Sequence, residues 1–232
     1  MSPAQIQDVA PHQLEFTARL RCRPLWLVLL VSVAAGAALG SFDRALQDVL
    51  PYPLANLANS AAVWAVAAFA VGLWVTNRGW YGAAAGVVTL AVAVIAYYGA
   101  SSVFAGDSFG WLTERATQFW LGFALIVGAL LGAAGIWARD GDNAVRAVGL
   151  ALAPSVLFAE ALNLTRLATV QGDIGTRPGE TAAIEALCGA IVLAALALFV
   201  ARDHFDWLRC LLACVPISLI GFGLYTASGY GG

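Results

Sequence analysis

Hydrophobic residues run through this chain in long blocks, and charged residues punctuate them. No charge lies between Arg23 and Asp43, Asp48 and Arg78, Arg78 and Asp107, Arg115 and Arg139, or after Arg209. Each interval can hold the roughly 20 apolar residues that a membrane-crossing helix needs. The blocks are apolar around most of their circumference instead of alternating, which argues against β-barrel strands. It fits helices, which satisfy every backbone N–H and C=O within the segment, as hydrocarbon requires. The pattern predicts about seven spans, at residues 25–42, 57–76, 79–100, 117–137, 144–164, 181–201 and 207–227. The fold class is therefore an all-α polytopic transmembrane helix bundle over residues 24–228, preceded by a cytoplasmic N-terminal segment over 1–23.

Order along the chain suggests a repeat. Spans one to three have a long loop and then a short turn, and spans five to seven keep that order in the same orientation. Letters agree in places, such as Trp80 with Trp207 and Arg44 with Arg166. This gives a possible 3+1+3 plan of two parallel triple-helix units with span four between them. The first span follows a basic stretch, "RLRCRP", and small residues come after it; a signal anchor explains those letters, as would a cleaved signal peptide that left six spans. Upstream, Glu15 and Arg19 at i,i+4 fit a short interfacial helix or a disordered tail.

Composition agrees with the bilayer and narrows the function classes. The chain is 61% hydrophobic and only 11% charged, with a mean hydropathy of +0.80, outside the soluble range. A net charge of −2 without a basic stripe argues against nucleic-acid binding. All twelve cations are Arg. With the N-terminus inside, eight of them (19, 21, 23, 78, 139, 146, 202 and 209) fall in inner segments and four (44, 115, 166 and 177) in outer loops. That bias predicts a multi-pass cell-membrane protein with a cytoplasmic N-terminus and an external C-terminus. The four cysteines form no CxxC pair, so neither a metal centre nor a disulfide is expected. Cys210 and Cys214 share a helix face near His204 and read as small apolar packing residues. Soluble-enzyme and cofactor motifs are absent, so neither catalysis nor a cofactor is expected.

Chemistry gathers at one level of the spans. Glu160 lies in an otherwise apolar run, about 9 Å below the end of its span if that end is near Arg166, and Glu185 about 6 Å below the same surface. Carboxylates at such depth face a bundle interior or a watery cavity. Span two brings Asn56, Asn59 and Ser60 within about its first turn and Trp64 one turn deeper; span three brings Tyr97 and Tyr98; Asn163 is about one turn from Glu160. The inner half offers no comparable polar set within the spans. The expectation is an outward-facing polar pocket in which Glu160 and Glu185 bind a cationic group or proton while the amides and tyrosines orient a ligand. Each residue also has a plainer role: polarity near headgroups, and for Glu185 a first-turn carboxylate complementing the helix dipole. Arg166 is placed to pair with Glu160 or Asn163. Small-xxx-small pairs, among them Ala34 and Ala38, Gly36 and Gly40, Gly82 and Gly86, and Gly128 and Gly132, predict close helix contacts. Pro154 and Pro216 predict kinks.

At "PLANLANSAAVWAVAAFAVGLWV" and "YYGASS" the chain resembles an uncharacterised family, a domain of unknown function, of polytopic membrane proteins from high-GC Gram-positive bacteria. That resemblance implies a membrane location and supplies no activity. The chain is also similar to the substrate-binding subunits of energy-coupling-factor transporters. That likeness implies a ligand pocket near the outer surface and a membrane-protein partner docking on Ala34 and Ala38, although seven spans stand here against six there. The function expected is small-solute binding or transport, with an accessory subunit acting through protein partners as the alternative.

Overall fold

The computed structural model describes residues 23–76, 79–104, 109–172, 177–201 and 204–228. The N-terminal segment before Arg23, with its expected interfacial helix, lies outside the described residues, as do Arg78 and Arg202. The elements run α1 (Leu25–Val49), α2 (Leu54–Ala58), α3 (Ala61–Trp74), α4 (Gly79–Phe104), a 3-10 turn (Phe109–Thr113), α5 (Arg115–Asp140), α6 (Asn143–Gln171), α7 (Pro178–Phe199) and α8 (His204–Ser228). Six of them (α1, α4, α5, α6, α7 and α8) are long and apolar enough to cross a bilayer.

The expected second span is interrupted. Ser60 adopts an extended conformation and its side chain accepts a hydrogen bond from the Val63 N–H, so α3 starts afresh at Ala61. At 14 residues, α3 is about 21 Å long at ~1.5 Å per residue, short of the ~30 Å hydrocarbon core. The residues that flank it, Ser60 and Val75, are both buried in the bundle, where exposed backbone groups need partners.

α6 is the hub. In its most apolar window 72% of residues are buried, against 17% for α8. α7 and α8 each pack on α6, while α1 packs on α4, α4 on α5, and α5 on both α3 and α6. Glycine makes the closest approaches possible. A Cβ built on Gly132 of α5 would collide with the Gly82 carbonyl of α4, and one on Gly72 of α3 with the Gly132 carbonyl. Gly36 and Gly40 of α1 press likewise on the backbone of α4 at Thr89 and Ala93. Ala34 and Ala38 sit on the opposite, exposed side of α1. Large apolar side chains such as Leu30, Ile191 and Leu219 point outward, as lipid contact requires.

The two expected triple-helix units share one feature, their first and third helices packed together. They differ in the middle helix: α3 is short and packs mainly on α4 and α5, whereas α7 is full-length and packs on α6.

Candidate functional site

The start of α3 is the chemical centre of one end of the bundle. Glu160 reaches it from α6, and one carboxylate oxygen accepts three hydrogen bonds: from the Ala62 N–H at 2.8 Å, the Ser60 hydroxyl at 3.0 Å and the Tyr225 hydroxyl of α8 at 3.1 Å. A carboxylate at a helix N-terminus meets unpaired N–H groups and the positive end of the helix dipole. Glu160 thus joins α3, α6 and α8, and it is 3% exposed. α6 continues past Arg166 to Gln171 before Gly172 ends it with a positive φ of 84°, so Glu160 is about 16 Å from that terminus at ~1.5 Å per residue.

The opposite end of α3 is complemented with the other sign. Arg139 of α5 donates to the Leu73 carbonyl at 2.8 Å, and Arg23 donates to the Trp74 carbonyl at 3.0 Å. The Arg23 guanidinium also lies 3.9 Å from the Trp74 ring centroid. A carboxyl acceptor at its N-terminus and two guanidinium donors at its C-terminus let α3 end inside the bundle.

Glu185 of α7 is fully buried beside this carboxylate, within electrostatic reach of Glu160 and next to the Ser60 side chain. Neither of its oxygens has a hydrogen-bond partner among the described residues. Native proteins rarely leave a buried polar group unsatisfied, and a carboxyl in that position costs several kcal/mol unless a proton or a cation neutralises it.

A partly enclosed cavity of about 200 Å³ opens on the other side of Ser60. Asn59, Ser60, Trp64, Tyr97 and Tyr98 line it, all five foreseen in the sequence, together with Ala61, Val94 and Trp120. Its far wall is held by a second carboxylate that sequence reasoning placed outside the spans. Asp43 accepts hydrogen bonds from Trp64 Nε1 at 2.7 Å and from the Gln47 amide at 2.9 Å, and the Tyr97 hydroxyl donates to the Gln47 carbonyl oxygen at 3.2 Å. α1 runs on to Val49 and carries Asp43 into the bundle, where it is 3% exposed. The Trp64 and Tyr97 rings meet edge-on at 6.1 Å, and Tyr98 stacks on Trp111.

The remaining expected residues lie apart from the cavity. The Asn56 amide of α2 donates to the Thr181 hydroxyl at 2.9 Å, tying α2 to the first turn of α7. Asn163 is buried and accepts from Arg166 at 3.2 Å, so Arg166 meets Asn163 rather than Glu160. Glu160 and Glu185 stand behind the Ser60 wall and do not line the cavity. Tyr225, Asp43 and Gln47 were not foreseen; Asp43 and Gln47, one turn apart, had their i,i+4 spacing as a signal.

The structure adds a buried ion pair at the other end of the bundle, at the edges of the expected spans. Arg146 of α6 and Asp206 of α8 are 3% and 1% exposed and form an ion pair at 3.1 Å. Arg146 also donates to the Gly141 carbonyl at 2.6 Å, and Arg209 approaches the second Asp206 oxygen at 3.9 Å. Each charge compensates the other, so the pair tolerates burial that neither would alone.

Together these features define an integral-membrane helix bundle with an interrupted helix and a polar cavity at its break. The chain belongs to DUF6518, a family of unknown function whose model matches residues 19–229. It matches no curated protein, and no solved structure matches it.

Proposed function

We propose that this protein binds, and in the membrane transports, a small solute through the cavity at the start of α3. The observation that carries the reading is the interrupted helix itself. A helix broken within the bundle exposes backbone to a polar cavity, the arrangement by which membrane carriers build solute sites near the bilayer midplane. The cavity volume of about 200 Å³ is below the ~300–1,000 Å³ of pockets for drug-sized ligands, which favours a solute of few atoms. Tyrosine hydroxyls, the Asn59 amide and the Ser60 hydroxyl supply hydrogen bonds, and the carboxylates of Asp43 and Glu160 behind the walls favour a cationic group. By the arginine bias this end faces outward.

The test is native mass spectrometry of protein purified from its own host in mild detergent. A small-molecule adduct that persists in wild type and is lost in Asn59→Ala and Tyr97→Phe supports the reading. A stoichiometric protein partner without such an adduct supports the accessory-subunit alternative, for which the exposed positions of Ala34 and Ala38 on α1 are the favouring observation.

A further inference from the structure

An apolar groove of about 410 Å³ lies on the flank of the bundle between α5 and α8, floored by α6. Phe123, Val127 and Leu130 form one side, Ile217 and Leu224 the other, and Val156 the floor. The rims are exposed where lipid lies: Leu130 is 43% and Leu224 68% accessible. Along α8 the lining runs from Ile217 to Ser228, about 16 Å at ~1.5 Å per residue. That is about half of the ~30 Å hydrocarbon core, the depth of one leaflet.

The groove is continuous with the polar cavity. Ala61 and Trp120 line both. Glu160 stands at the junction, because one of its donors, Ser60, lines the cavity and another, Tyr225, lines the groove. Neither lining contains an Arg, Lys or His among the described residues. The cavity walls present four aromatic rings, Trp64, Tyr97, Tyr98 and Trp120, and aromatic faces backed by carboxylates attract ammonium groups. Resting on the solute-binding reading above, we infer that the ligand is a cationic amphiphile, its ammonium head in the cavity and its single alkyl chain in the groove, entering sideways from the bilayer.

The test uses the full chain in phosphatidylcholine nanodiscs with four probes: dodecyltrimethylammonium, tetramethylammonium, dodecanoate and dodecanol. Native mass spectrometry reads the adduct retained on the protein. The inference expects dodecyltrimethylammonium to be retained about tenfold better than each of the other three. Val127→Phe, and Val156→Phe as a second filling variant, are expected to abolish that advantage while leaving tetramethylammonium retention unchanged. Equal retention of the two ammonium probes overturns the role of the groove and leaves the solute site standing. Equal retention of dodecanoate or dodecanol overturns the cationic head. Retention of neither ammonium probe overturns both this inference and a cation-selective solute site. An advantage that survives in both filling variants, each shown to be monodisperse, places the chain elsewhere and overturns the inference.

Discussion

The two ends of the bundle handle buried charge in opposite ways. At the Arg146 end, opposite charges on α6 and α8 meet directly at 3.1 Å and a third, Arg209, closes over them. At the Glu160 end, two carboxyls from α6 and α7 lie side by side; one takes three donors and the other none. A self-compensated pair fixes a helix–helix contact, and the charge left over at this end, that of Arg209, reaches solvent rather than a cavity. An uncompensated carboxyl next to a cavity is structurally expensive, and that expense points to a site that something else completes.

The largest effect is expected at the closed end. Asp206→Asn leaves the Arg146 charge buried without its counterion, a loss of about 3–5 kcal/mol. Thermal unfolding in detergent measures it, and solute binding per folded molecule should stay unchanged. Replacing both partners with apolar residues, Arg146→Met with Asp206→Leu, should recover most of the loss. A cost for Asp206→Asn below about 1 kcal/mol would mean that this end is not the closed, structural one.

At the other end stability and function should begin to separate. Glu160→Ala strips the acceptor from the Ala62 N–H and two hydroxyls and is expected to cost about 2–3 kcal/mol. Glu160→Gln keeps an acceptor oxygen in the same place, so its stability loss should be smaller, while solute binding falls. A stability loss with unchanged binding would reduce Glu160 to the cap of α3. Arg139→Met examines the far end of the same helix: it frees the Leu73 carbonyl for about 1 kcal/mol, with no effect on binding.

Sequence pattern made the seven apolar segments legible because a span is a local property, an unbroken run of hydrocarbon. It also placed Asn59, Ser60, Trp64, Tyr97 and Tyr98 at one level, since depth follows from residue count once the ends are known. What it hid was non-local. Reading charges as boundaries ended α1 before Asp43, although Trp64 and Gln47 hold that carboxylate inside the bundle. The Arg146–Asp206 pair joins residues 60 positions apart, a distance at which no spacing rule operates. The break in the second span had a local signal, Asn59-Ser60 ahead of an apolar run, the composition of a helix start. Continuous hydropathy across it concealed that signal.

The smallest expected change in stability carries the sharpest meaning. Beyond the Ser60 side chain beside it, Glu185 meets no donor among the described residues, so Glu185→Leu replaces a poorly satisfied buried carboxyl with an apolar group of similar size. The unfolding midpoint should hold or rise, by an amount worth about 1 kcal/mol or less. The same variant should weaken solute binding, because it removes a carboxyl within electrostatic reach of Glu160 behind the cavity wall. Stability gained as function is lost marks a residue kept for its chemistry. Glu185→Gln sharpens the reading by keeping size and polarity: binding lost in both variants assigns the role to the acid itself, whereas binding kept in Gln assigns it to a hydrogen bond. A clear fall in stability for Glu185→Leu would show that the carboxyl has a structural partner, and the contrast between the two ends of the bundle would disappear.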